Sequence, residues 1–232
     1  MPKRIIQQRR GKGSGRFRTP TFRYIGASRV LDKETYTIKA LRRSPAHTAP
    51  VMEIEYNDGT QSIAVAPEGV AVGETYEINA EEPQKGDFCQ LQDIPEGTTI
   101  SNIELRPNDG GKFAKSSGAS AKVVNKSDDA VTVLLPSKQT KDFNPKCKAL
   151  IGNIAGSGRT DKPFLKAGKK HYAMKARNRF YPIVSASSMN AVSHPFGNSR
   201  SLRKSKAKPA PRNAPPGRRV GSLRPKQQGR KR

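Results

Sequence analysis

Three histidines, two cysteines and one glycine-rich loop are the residues of this 232-residue chain with types suited to covalent or metal chemistry. His47, His171 and His194 are too scattered for a metal motif, and no cysteine stands at a ligand-like spacing from them. Cys89 and Cys147 form no CxxC pair and no disulfide framework, and they fit small core residues in a reducing compartment. Gly152 to Gly158, GNIAGSG, lacks the lysine and the following helix that a phosphate-cradling loop requires. It is expected to be a flexible loop or a place of close backbone approach. Glu53 and Glu55 alternate with apolar residues and most simply face solvent, so no carboxylate pair for general acid/base work is advertised. No cofactor, no metal and no catalytic residue is expected.

One small constellation remains. Ser187 to Gly197, SSMNAVSHPFG, is the least basic stretch of the C-terminal third and sets His194 between short polar residues and a proline. His194 could stack on a base or hydrogen-bond a phosphate or 2′-hydroxyl, pack a turn, or carry a proton near neutral pH. All three readings stand on the residues alone.

The elements that must position these residues are set in a very basic chain. It has 44 Lys plus Arg against 19 Asp plus Glu, a formal net charge of +25, and 33% hydrophobic residues without Trp. So large a surplus calls for a polyanion, nucleic acid first and an anionic membrane second. No run of about 18 apolar residues occurs, and the basic N-terminus is followed by no apolar stretch, so neither a membrane span nor a signal peptide is expected. The charge is segregated. Met1 to Arg29 holds nine basic residues and no acid, Val30 to Gly110 six basic and fifteen acidic, Gly111 to Phe180 sixteen and four, and Tyr181 to Arg232 thirteen and none.

Ser199 to Arg232 has only Leu202, Val220 and Leu223 as larger apolar side chains besides its prolines. Such an arm buries too little to offset chain entropy, and free in water both arms should be disordered. Phe17, Phe22, Tyr24 and Ile25 give the N-terminal arm some stacking surface. Glycine and proline interleaved with arginine suit a peptide threaded along phosphates, the plain alternative being a solubilising tail.

The middle is expected to be β. Met52, Ile54 and Tyr56 alternate with Glu53 and Glu55, Asn57-Asp58-Gly59 supplies a turn, and Ile63 and Val65 alternate in return. Val70 to Val72, Tyr76 with Ile78, Thr99 to Leu105, Ala121 to Val124 and Ala130 to Leu135 are further candidate strands. Turn residues every 8 to 12 positions or so suggest small barrels or sandwiches, and two barrels fit better than one. Asp93 to Gly97, DIPEG, is the expected junction. Only Lys166 to Phe180 carries a plausible helical pattern.

Several runs in order resemble a known family. Ala66-Pro67-Glu68-Gly69-Val70 with Val72-Gly73, Ile94 to Thr98, Asn102 to Pro107 with Gly110-Gly111, Ala114 to Gly118, and Met189 to Val192 with His194 to Gly197 resemble motifs of the universal second protein of the large ribosomal subunit. Gln8 to Gly13 and Arg212 to Gly221 resemble its arms in the archaeal and eukaryotic-like form. The resemblance implies an all-β fold, an OB-fold barrel followed by an SH3-like barrel, with long irregular basic N- and C-terminal extensions. The implied ranges are 1–35 for the first extension, 36–93 and 94–180 for the barrels and 181–232 for the second extension. It implies a non-enzymatic, primary rRNA-binding constituent of the large subunit in the cytoplasm. Its implied place is near the peptidyl transferase centre, supporting subunit association, tRNA binding and peptide-bond formation. The partners implied are large-subunit rRNA, other large-subunit proteins and small-subunit rRNA across the interface, with no membrane and no homo-oligomer.

The cations expected to meet rRNA begin with Arg4, Arg9, Arg10, Lys12, Arg16, Arg18 and Arg23 in the first arm. Lys112, Lys115 and Lys122 follow in the second barrel, then Lys169, Lys170, Lys175, Arg177 and Arg179 around the expected helix. Arg200, Arg203, Arg212, Arg218 and Arg219 lie in the last arm, and His194 joins them as the counterpart of the family's much-discussed histidine. The family usually carries Asp before that histidine and a run of glycines beyond it, where this chain has Ser193 and then Gly197-Asn198-Ser199. The missing carboxylate removes a group that could orient the imidazole.

Two other functions compete on residues alone. A free single-strand-binding or regulatory RNA protein would use Tyr36, Tyr56 and Tyr76 as a stacking platform. An enzyme built on His194 lacks a second catalytic partner.

Overall fold

A computed structural model describes residues 4–18, 24–80, 82–198, 213–215 and 220–221. The chain divides into two compact units, one formed by Met1–Pro20 with Lys166–Arg232 and the other by Thr21–Leu165.

Among its described residues the second unit holds ten antiparallel strands in two sheets. In the first, the order is β3 (Gln61–Val65), β2 (Val51–Tyr56), β1 (Thr35–Arg42), β4 (Thr75–Glu77). The expected hairpin is β2–β3: Val51 pairs with Val65 and Glu55 with Gln61, and Gly59 takes φ +78° in the turn, where a side chain would be strained. Alternate residues Met52, Ile54 and Tyr56 point inward with Tyr36, Ile38 and Val65. Glu53 and Glu55 lie on the other face, paired to Arg42 at 2.7 Å and Lys39 at 2.6 Å.

The six-stranded sheet runs β5 (Phe88–Gln90), β10 (Lys148–Ile151), β6 (Thr99–Ser101), β7 (Ala121–Lys126), β8 (Val131–Leu134), β9 (Thr140–Phe143). These two antiparallel sheets are the OB-fold and SH3-like barrels of an all-β protein. They share a wall. In β5 and β10, Phe88 and Leu150 enter the first core, while Cys89, Ala149 and Ile151 enter the second. Side chains alternate across a strand, so a strand between two cores is apolar on both faces and shows no polar alternation. Both cysteines are fully buried and free, and burial pushes each thiol up to about 11.

Several expectations change. Val70 to Val72 forms no strand but lies between turns at Glu68-Gly69 and Val72-Gly73, and the strand expected over Thr99 to Leu105 ends at Ser101. At the expected junction, Asp93 to Gly97, Ile94 is fully buried in the second core. The Gly152 to Gly158 loop is no flexible loop. Ile154 is fully buried in the first core and bridges Pro67, and a Cβ added to Gly118 would come within 2.7 Å of Ser157 Cα. That is the close backbone approach expected there.

In the other unit, α1 (Ile6–Gly11) and α2 (Ala167–Ala176) are the α-helices among the described residues, α2 as expected and α1 not. Of the acid-free C-terminal arm beyond Asn198, nearly all lies outside the described residues, and so does the expectation about its order.

Candidate nucleic-acid interface

Charge and unit boundary coincide. Met1–Pro20 with Lys166–Arg232 carries 26 of the 44 Lys and Arg and no Asp or Glu, so all 19 acids fall in Thr21–Leu165. The four ion pairs among the described residues are Lys33–Asp58, Lys39–Glu55, Arg42–Glu53 and Lys148–Asp32, every one inside the barrel unit.

In the acid-free unit, Arg4 is exposed before α1, Arg9, Arg10, Lys12, Arg16 and Arg18 are exposed on and after it, and Lys169, Lys170, Lys175 and Arg179 are exposed on and after α2. Arg177 is half-buried at the C-cap of α2. Two cavities open here. One of about 380 Å³ is lined by Arg4, Arg9 and Arg10 above Ile5, Ile6, Phe180, Ile183, Val184 and Met189, and His194 stands in its wall. The other, of about 310 Å³, lies between Arg16, Phe17 and the end of α2.

The geometry around His194 narrows its roles. Its Nδ1 accepts the Phe196 amide N–H at 3.1 Å. A ring nitrogen that accepts carries no proton, so the neutral imidazole bears its hydrogen on Nε2. Burial lowers the pKa and favours that neutral form. The amide of Phe196 thus orients the ring where a carboxylate would otherwise do so. His194 N and Ser193 N both donate to Asn190 O, Gly197 N donates to His194 O, and Asn198 N donates to Met189 O. A Cβ on Gly197 would lie 2.4 Å from Met189 O, so this closed turn admits only glycine there.

The barrel unit contributes a second, smaller basic site. Glu104 is 3% exposed and accepts three amides, from Asn108 at 3.0 Å, Gly110 at 3.2 Å and Lys148 at 3.0 Å. The Lys148 ammonium reaches Asp32 at 2.7 Å and Asn108 Oδ1 at 3.2 Å. These bonds fix the loop that leads into Lys112 and Lys115. Lys112 is exposed, whereas Lys115 is half-buried and donates to Gly111 O at 3.1 Å. Burial, and then the Lys112 charge, lower the Lys115 pKa against the opposing pull of Asp109. Near it, burial and the Lys115 charge lower the pKa of His47. His47 stacks on Tyr24 with ring centroids 5.4 Å apart, and its buried Nδ1 has no hydrogen-bond partner among the described residues. Arg159 Nε donates to Ser117 Oγ at 3.0 Å one residue before Gly118. Lys122 is exposed on β7.

The structure therefore gathers Lys112 with Lys115 and places the α1 and α2 cations in one unit. Arg23, Arg200, Arg203, Arg212, Arg218 and Arg219 lie outside the described residues. His47, Tyr24 and Arg159 were not singled out as site residues, because nothing in sequence brings residues so far apart together. The tyrosine platform is overturned: Tyr36 and Tyr56 are core residues at 0% and 3% exposure, and Tyr76 donates to Glu74.

Residues 84–215 match the family described as Ribosomal Proteins L2, C-terminal domain. The chain is 45% identical over 236 residues to the large ribosomal subunit protein uL2 of Haloquadratum walsbyi, covering 99% of this chain and 97% of that protein. It is 43% identical to the uL2 of Haloarcula marismortui, over 99% of this chain and 98% of the relative, and 43% identical to that of Methanococcoides burtonii, over 100% of both.

Proposed function

This chain belongs to the ribosomal protein L2 family, and from that membership we propose that it serves the large ribosomal subunit as a primary rRNA-binding protein. It is a structural constituent and not an enzyme. The observation that carries the RNA reading is the unit with 26 cations and no carboxylate of its own. Such a body repels itself unless a polyanion neutralises it.

Within this reading, exposed arginines on α1 and in the loop after α2 make bidentate bonds to phosphates, and the lysines supply point charge. Lys115 is the strongest single candidate in the barrels, because a phosphate offsets the cost of a half-buried ammonium beside Lys112. The proposed place is near the peptidyl transferase centre, with large-subunit rRNA and neighbouring large-subunit proteins around it and small-subunit rRNA across the interface. There it would support subunit association, tRNA binding and peptide-bond formation. The proposed division of labour is extensions over 1–35 and 181–232 and barrels over 36–93 and 94–180. His194, neutral and protonated on Nε2, offers a donor to RNA and no base.

The test is binding of the full chain to deproteinised large-subunit rRNA across a salt series. If roughly ten phosphates are neutralised, log K falls against log salt with a slope of about −7 to −9. A slope near zero would reject the electrostatic reading.

A further inference from the structure

The cavity between Arg16 and the end of α2 has a composition that bulk phosphate binding does not require. Its lining joins aromatic rings, Phe17, His171 and Tyr181, to cations, Arg16, Lys175 and Arg179. Phe180 also lines it. The His171 and Tyr181 rings lie 6.5 Å apart at 61°, and Lys170 Nζ stands 5.4 Å from the Tyr181 ring. At about 310 Å³ the space falls at the small end of ligand pockets, which run from about 300 to 1,000 Å³. Asn178 builds it deliberately: its side-chain amide donates to Gly15 O at 3.1 Å and to Arg18 O, holding the segment with Arg16 and Phe17 against the end of α2.

An aromatic-lined cavity takes either a cation or a flat, stackable group. Here three flanking cations, in a unit without a single Asp or Glu, repel a cationic guest. They favour a guest with a flat ring at one end and an anion at the other. We propose that this cavity holds one unstacked nucleotide of large-subunit rRNA, its base against the aromatic rings and its phosphate among Arg16, Lys175 and Arg179. This rests on the rRNA-binding reading above and adds to it a base-stacking subsite. Stacking on side chains is how single-stranded or bulged nucleotides are held, and it is largely independent of salt, unlike phosphate contact.

The experiment exploits that difference. Full-length wild-type chain and variants are titrated with deproteinised large-subunit rRNA at several salt concentrations. His171→Leu combined with Tyr181→Leu keeps apolar volume and removes both rings. Affinity is expected to fall about ten- to a hundredfold with the salt slope unchanged. Arg16→Gln should reduce the slope by about one. A double-leucine variant that binds like wild type overturns the proposal, as does one whose slope falls with its affinity. A second readout on the wild-type complex guards against misfolding of the variant. Ultraviolet cross-linking followed by peptide mass spectrometry should find nucleotide adducts on peptides containing Phe17, His171 or Tyr181, and adducts confined to other peptides overturn it. Adenosine monophosphate that binds this cavity and is not displaced by rRNA also overturns it. Failure of the rRNA-binding reading looks different, because the wild-type chain itself then lacks steep salt-dependent binding.

Discussion

Glu104 accepts three amides while 3% exposed. A carboxylate can accept all three, but an amide has one accepting oxygen and would turn N–H donors toward N–H donors. Glu104→Gln should therefore destabilise the protein by about 1–3 kcal/mol, the cost of leaving a buried donor unmet. Urea unfolding measures this, and a loss below about 0.5 kcal/mol would show that the loop relaxes freely. At His194 the Phe196 amide already occupies Nδ1, and the lowered pKa keeps the ring neutral. A group so fixed cannot serve as a base on the nitrogen that bears its hydrogen. His194→Gln, assembled into intact particles purified on a gradient, should support near-normal peptidyl transfer. A fall of ~10²-fold at normal tRNA occupancy would restore the proton-transfer role, since general base catalysis is worth about 10²–10⁴.

At the scale of elements, α2 has ten residues and none of them is buried. A helix that short is marginal by itself, so its end matters. Asn178 takes φ +49°, its N–H donates to Lys175 O, and Arg179 N donates to Met174 O. These are the two bonds of a Schellman cap with asparagine in the left-handed position. Asparagine tolerates that conformation, and its side chain is free to hold Gly15 and Arg18 as well. The two jobs separate by mutation. Asn178→Gly keeps the cap and drops the tether, so trypsin should cut at Arg16 and Arg18 faster while amide exchange in α2 is unchanged. Asn178→Ala should speed both, since a β-carbon in the left-handed region costs about 1–2 kcal/mol. Equal exchange in α2 for the two variants would dismiss the cap's contribution.

For the whole molecule, the decisive fact is where the charge lies. Gly111 to Phe180 has a net surplus of twelve, but six of its cations, Lys166, Lys169, Lys170, Lys175, Arg177 and Arg179, belong to the acid-free unit. Thr21–Leu165 holds 18 Lys and Arg against 19 acids. Expressed alone, this barrel unit should bind rRNA with a salt slope well under about half that of the full chain, because the slope counts neutralised phosphates. Replacing Lys112, Lys115 and Lys122 with Gln in it should flatten most of what remains. A barrel unit that keeps the full slope would move the interface from the extensions to the barrels.

The sequence by itself determined whatever depends on near neighbours. Alternation in Met52 to Tyr56, with Asn57-Asp58-Gly59 as the turn, dictated the β2–β3 hairpin, because one buried face and one wet face leave a period of two. Exclusion of acids from both ends marked the segments proposed to meet a polyanion, and ordered motifs revealed the family. The tertiary structure decided the rest. β5 and β10 show no polar alternation, since each feeds two cores at once. Lys148 lies inside a buried strand only because Asp32, Asn108 and Glu104 converge on it. Asp93 to Gly97 carries the signs of a junction, and it is the tertiary structure that buries its Ile94 in the second core. The aromatic cavity joins residues 16–17 to 171–181, and His47 meets Tyr24 beside Lys115. Pairings across such separations are fixed by which surfaces bury each other, and that energy is absent from any local stretch of chain.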